Sequence, residues 1–249
     1  MQKKNPLLLT KRLLLHYLKY LQKTTMCGDF DLPEMHCHTK VLPDYIAVYQ
    51  QPSDYHHTPF TAVSSFSYDD TFDGQHGLYN AIYYDNKRDL ERFKKRFSGV
   101  RFAIAPDCSQ CGDVDHIENL NRLKRSRIIS LWMNQEMGIS VIPLITFPNL
   151  KHLGWVLEGL HDCSVVAFST KGCVGDLNEK KILTEAVKIT VDTLNLRAIL
   201  VYDVCKDNSA VDEIFAYACE KGIEVKVPSN MLKERNMFLA EKRRKKNCA

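Results

Sequence analysis

Three aspartates in this chain follow short β-branched or aromatic runs: Asp85 after residues 79–84, Asp107 after 101–105 and Asp203 after 198–202. Carboxylates on neighbouring strand ends can hold a hard divalent cation, or split their proton affinities so that one serves as acid and the other as base. Asp107 is the candidate catalytic group and Asp85 its candidate partner. Ser169-Thr170-Lys171-Gly172, with Ser109 on another loop, supplies hydroxyls, one cation and a flexible glycine. Those are the ingredients of a phosphate cradle at a loop-to-helix junction. The stretch lacks the glycine spacing of a nucleoside-triphosphate loop, so the expected ligand is a phosphorylated or nucleotide-like small molecule of another kind. Polar residues also end strands for turn chemistry alone, which is the plainer reading of the same positions.

Cys108-Ser-Gln-Cys111 is the one CxxC pair, followed by Asp113, Asp115 and His116. Two thiols are half of a tetrahedral zinc set, so zinc at Cys108 and Cys111 needs ligands from elsewhere, with His36-Cys37-His38 as the nearest suppliers. Free thiols are the alternative. No Ser-His-Asp, HExxH or GxSxG arrangement stands out, and His56-His57 has no evident partner.

The basic residues gather in three places. Residues 1–25 carry six lysines and arginines and no acid; residues 233–249 carry seven against Glu234 and Glu241; Arg122, Lys124, Arg125 and Arg127 form an internal cluster. At helical spacing Arg122 and Arg125 share a side, with Lys124 and Arg127 on another, so the cluster is not one stripe. Between the ends, 21 basic and 28 acidic residues leave the body at −7 although the whole chain is +4. An acidic body with basic ends can meet a polyanion through those ends. Lys242, Arg243, Arg244, Lys245 and Lys246, with Arg122 and Arg125, are the candidate nucleic-acid contacts; charged ends that merely aid solubility are the alternative.

These groups need a scaffold. From Leu78 onward, short β-branched or aromatic runs alternate with longer helical ones, the pattern of parallel β-α units. Expected strands cover 62–68, 79–84, 101–105, 139–146, 164–169, 198–202 and 223–227. Helices are expected over 119–137, over 178–194 and from Ser209 to a stop at Gly222, with Asp212 completing a capping-box variant. Pro143 is discordant within its run because it cannot donate to a ladder. The fold class is α/β: a mostly parallel sheet of about seven strands with flanking helices, either open and doubly wound or an incomplete β/α barrel. In both, the ligand edge is formed by loops after the carboxyl ends of the strands. The division expected along the chain is 1–60, a basic amphipathic helix near 7–21 and an irregular segment with four prolines from 26 to 60; 61–232, the α/β core; and 233–249, a basic helix or tail.

With 249 residues, 45% of them hydrophobic, the chain can bury one sizeable core, which excludes disordered and collagen-like classes. The leucine-rich opening is interrupted by Lys11, Arg12 and Lys19, so no transmembrane segment is expected. Nine cysteines without a secretory signal read as reduced thiols, and a cytoplasmic protein is the expectation.

Ala105-Pro-Asp-Cys-Ser109, residues 121–138 with Trp132, Ile139-Ser-Val-Ile-Pro143, and Gly159 through Ser164-Val-Val-Ala-Phe-Ser-Thr-Lys-Gly-Cys173 resemble the domain-of-unknown-function family 4417, over about residues 78–205. The resemblance implies kinship with bacterial, phage and mobile-element proteins and brings no activity with it. Cys108 departs from the aromatic residue usual there, and Asp203 from the glycine usual after the Val-Tyr strand. Charge and kinship together point first to a phage or mobile-element type protein that contacts nucleic acid through phosphate-directed basic ends. An enzyme acting on a phosphorylated small molecule at the strand-end loops is the second reading, and a protein-interaction module that blocks or recruits a host factor the third.

Overall fold

The structure is a computed structural model that describes residues 15–66, 72 and 74–247. The expected basic helix near 7–21 is described only from residue 15, and the end of the expected 62–68 strand lies outside the described residues. No helix among the described residues is long and apolar enough to cross a membrane.

A short antiparallel hairpin, β1 (Met26–Cys27) and β2 (Leu32–Pro33), precedes two parallel sheets. The first contains β3 (Tyr45–Val48), β4 (Thr61–Ser64), β5 (Phe102–Ile104) and β6 (Ser140–Ile142), paired in chain order. The second contains β7 (Val165–Ser169), β8 (Ala198–Tyr202) and β9 (Glu224–Lys226), again in chain order. Neither reverses its order, so neither has the switch point of a doubly wound sheet. Single parallel bridges join their edges, Leu144 to Ala167 and Tyr45 to Ser229. Strands such as Val165-Val-Ala-Phe and Ala198-Ile-Leu-Val-Tyr are buried without alternation, as parallel strands covered on both faces must be.

The helices are α1 (Leu18–Leu21), α2 (Leu78–Tyr83), α3 (Lys87–Arg96), α4 (His116–Met137), α5 (Leu153–Leu157), α6 (Leu177–Thr193), α7 (Ser209–Ile214), α8 (Ala216–Glu220) and α9 (Met231–Asn247). Asp115 starts α4 by accepting from the amides of Ile117 and Glu118 at 3.0 and 3.1 Å, and Gly138 ends it at φ +66°. Asp176 starts α6 in the same way. The helix from Ser209 to Gly222 is broken into α7 and α8 at Phe215, and Asn208, rather than Ser209, occupies its cap position.

Two expectations are corrected. Residues 79–84 form no strand: Leu78, Tyr79, Ala81 and Ile82 bury one helical face of α2, and that 3.6-residue period overrides the aromatic β-propensity of the run. The seventh parallel strand is instead Tyr45–Val48, inside the segment expected to be irregular; its four residues pair with Thr61–Ser64, so the sheet begins before residue 61. Pro143 lies just after β6, where only its carbonyl is needed: it accepts from the Ala167 amide at 2.7 Å, and the missing N–H costs no ladder bond.

Arg127, on α4, is wholly enclosed. Its guanidinium donates to the carbonyls of Pro33, Val156, Glu158 and Gly159 at 2.9 to 3.4 Å. Burial pushes its pKa down to about 10. Gly159 permits this approach: at φ +69°, a Cβ there would stand 3.2 Å from the Pro33 carbonyl and 3.3 Å from the guanidinium. One side chain thus ties the hairpin, α4 and the approach to β7 together.

Candidate functional site

A cleft of about 560 Å³ opens at the carboxyl ends of β5, β6 and β7. Asp107, Ser109 and Gln110 enter it from the loop after β5, Thr146, Asn149 and Lys151 from the segment after β6, Ser169 from the last position of β7 and Lys171 from the loop that follows. Glu179 comes from the first turn of α6. The opposite character is supplied by Ile145, Phe147, Leu150, Ile182 and Leu183. The lining therefore mixes polar groups, bearing charges of both signs, with apolar side chains.

The loops are held from behind. Ser126 of α4 donates to the Pro106 carbonyl at 2.7 Å, and Arg122 to the Ser109 carbonyl at 3.2 Å. Asn119, 1% exposed, closes the 111–114 turn through Cys111 and Val114. Gln110 Nε2 donates to both oxygens of Thr146, linking the β5 and β6 loops. Two acceptors of lining residues, Gln110 Oε1 and Asn149 Oδ1, are buried with no hydrogen-bond partner among the described residues. Buried acceptors are normally satisfied, so these two suit donors on a bound molecule or water.

Of the residues singled out from sequence, Asp107, Ser109, Ser169 and Lys171 meet in this cleft. Thr170 does not face it: it is fully buried and donates to Asp203 Oδ1 at 2.6 Å. Gly172 turns the chain at φ +91° just beyond Lys171, outside the cleft lining. Asp85 is not a strand-end residue, because its run is helical. It occupies the left-handed turn between α2 and α3 at φ +52°, where Lys87 lies 2.7 Å and Lys19 3.9 Å from its carboxylate. Burial raises its pKa and these lysines, with His16, more than offset that, leaving it below the usual carboxylate range. Asp85 is thus an ion-pair residue away from the cleft lining and not a partner for Asp107.

Cys108 is buried and Cys111 exposed. His36 and His38 share the carboxylate of Asp162, the latter at 2.8 Å, instead of turning toward the CxxC pair. Among the described residues no group of three His, Cys, Asp or Glu side chains converges as a metal site. Arg122 is paired with Glu118 at 3.0 Å, and Arg125 lies over the Tyr79 ring at 5.0 Å; both are half-buried on α4. The basic end is different. Lys242, Arg243, Arg244 and Lys245 are exposed on α9, with Glu241 paired to Lys245 at 2.7 Å. The side chain of Lys246 lies outside the described ones.

Sequence reasoning missed Gln110, Lys151 and Glu179. Glu179 sits three residues after the cap Asp176, a position whose acid is explained by the helix N-terminus, so nothing local marked it as a cleft residue. Gln110 lies inside the CxxC that drew attention to its sulfurs.

Comparison with curated proteins and with solved structures finds no match. The sequence model of a family described as a domain of unknown function, DUF4417, matches residues 24–218, which takes in every strand from β1 to β8 and the whole cleft, and the chain belongs to that family.

Proposed function

We propose that the two sheets are arcs of one seven-stranded β/α ring and that the cleft on its carboxyl rim binds and acts on a phosphorylated or nucleotide-like small molecule. The ring reading is supported by the parallel bridges at both sheet junctions and by strand order that follows the chain throughout. The observation that carries the ligand reading is the meeting of Asp107, Ser109, Ser169 and Lys171 from two strand ends that are not sequence neighbours. Lys171, with the hydroxyls of Ser109 and Ser169, binds the phosphate; Asp107 is the general base or the first ligand of a divalent cation. The apolar side chains of Phe147, Leu150 and Ile182 receive a ring or base, and Gln110 and Asn149 accept from its hydroxyl or amino groups.

The test is calorimetric titration with inorganic phosphate, nucleoside monophosphates and sugar phosphates, with and without Mg²⁺, on the full chain and on Lys171→Met. Loss of one charge-assisted bond, about 1.5–3 kcal/mol, predicts weakening of roughly 10- to 100-fold. Absence of binding to every compound, or a Lys171→Met variant as tight as the parent, refutes the reading.

A second reading, nucleic-acid contact of phage or mobile-element type, is favoured by α9 alone. From Glu234 to Lys245 all but Ala240 are exposed; Phe238, 65% exposed, stands between Arg235 and Lys242 at helical spacing. Such a helix would neutralise phosphates with a salt slope of about −0.9 per contact on duplex DNA. Deleting residues 242–246 should flatten that slope; salt-independent binding rejects this reading.

A further inference from the structure

We propose that Asp203 and Lys233 are positioning residues of the cleft, acting through the hydroxyl of Thr170. The assignment deepens the small-molecule reading and rests on it for its functional meaning. Ser169 and Lys171 line the cleft, while Thr170 between them points the other way and is fully buried, the alternation expected where a strand runs out. The Thr170 amide donates to the Tyr202 carbonyl at 3.0 Å and its Oγ1 to Asp203 Oδ1 at 2.6 Å. Because an ionised carboxylate only accepts, the hydroxyl must be the donor, and its direction fixes the side chain and the backbone on either side of it.

The carboxylate is itself locked. Asp203 is completely buried, and its Oδ2 receives Lys233 Nζ at 2.7 Å and the Cys205 amide at 3.2 Å. Lys233 is 8% exposed and gives a second bond to Asn208 Oδ1 at 2.7 Å. Asn230 joins both partners, donating to the Asp203 carbonyl at 2.8 Å and accepting from the Lys233 amide at 3.0 Å. A buried charge pair is a poor source of stability, but a satisfied network of this kind admits one geometry. Here the geometry it admits turns the Ser169 hydroxyl and the Lys171 ammonium, on either side of Thr170 in the chain, toward the same cleft. Lys233 lies in the first turn of α9, beyond the residues matched by the family, so the cleft takes its support from an element outside that span.

The test compares the full chain with Thr170→Val, which keeps the shape and removes the donor, and Thr170→Ser, which restores it. Two readouts are taken: hydrogen exchange of the amides at 170 and 173, bonded respectively to the Tyr202 and Thr170 carbonyls, and affinity for inorganic phosphate. Thr170→Val should speed exchange at both amides at least tenfold while those of β8 are unchanged, and should weaken phosphate about tenfold; Thr170→Ser should reverse both. Asp203→Asn and Lys233→Met should move exchange in the same direction, with Lys233→Gln replacing the latter if it does not fold. Unchanged exchange at 170 and 173 in Thr170→Val, no rescue by Thr170→Ser, or acceleration spread evenly over the molecule overturns the proposal. If exchange behaves as expected but the parent chain binds no phosphate, the positioning stands and the anion reading of the cleft falls.

Discussion

Arg127→Met should be one of the most damaging single substitutions outside the cleft. The guanidinium serves four carbonyls; that of Gly159 keeps a second donor in the Met35 amide at 2.8 Å, leaving those of Pro33, Val156 and Glu158 most exposed to the loss. An unsatisfied buried acceptor costs about 1–3 kcal/mol, so three would cost about 3–9 kcal/mol if none found another donor. Removing a cation buried without a carboxylate partner among the described residues returns part of that, since its burial was itself unfavourable, as its depressed pKa of about 10 attests. The net expectation is a loss of about 3 kcal/mol, which at a denaturant slope near 3 kcal/mol per molar lowers the urea midpoint by about 1 M. Arg127→Lys should recover little, because an ammonium cannot span four carbonyls set around a planar fork. Arg122→Met is the comparison: its guanidinium is half-buried, pairs with Glu118 and donates to the Ser109 carbonyl, so its loss should cost about 1–2 kcal/mol, less than that of Arg127. A midpoint for Arg127→Met within about 0.3 M of the parent would show that the four-carbonyl clasp does not hold the hairpin to α4 and the approach to β7.

Other expectations come from the same contacts. Asp85 has a folded pKa below its unfolded one, so its contribution is present above the unfolded value and is lost as pH falls through the folded one. Asp85→Asn should therefore lower the thermal midpoint at pH 6 and lower it progressively less as the pH falls below the usual carboxylate range, and a loss independent of pH would remove the ion-pair explanation. Gly159→Ala must force a Cβ against Glu34, Pro33 and Arg127 at positive φ, and should lower the urea midpoint in the same sense as Arg127→Met. A double variant with Arg127→Met should be less destabilised than the two losses added together, because both damage one clasp.

The strands were legible wherever burial on both faces left an unbroken β-branched run, as in Ala198-Ile-Leu-Val-Tyr, and the long helices wherever a cap and a glycine stop bracketed them, as Asp115 and Gly138 bracket α4. The misplaced strand has a specific cause. Tyr79, Ile82 and Tyr83 have strand-like chemistry in a helical period, and in a six-residue helix the period is too short to outweigh composition. Tyr45–Val48 escaped notice because prolines at 43 and 52 flank it, yet both lie outside the four residues that pair. In the site, strand-end logic found Asp107, Ser109, Ser169 and Lys171 because it depends only on where a strand stops. It failed for Asp85 with the strand that carried it, and for Thr170 because the side to which a residue turns at a strand end depends on what is packed behind.

What is packed behind the cleft also sets how far the chain can be shortened. The family match ends at residue 218, inside α8, before β9, the Ser229 bridge and Lys233. A chain ended there would keep every cleft residue and leave the fully buried Asp203 carboxylate without its cation and β8 without a neighbour on one edge. Breaking a buried pair by removing one partner costs about 3–5 kcal/mol, and the lost strand adds to it, against a total stability of about 5–15 kcal/mol. The expected outcome is loss of a cooperative unfolding transition, whereas a chain ended after residue 241 retains the pair and should unfold as the parent does. If the 218-residue chain unfolds cooperatively at the parent's urea midpoint, Lys233 is not needed to keep Asp203 in place, and the anchoring of Thr170 must be sought on the sheet alone.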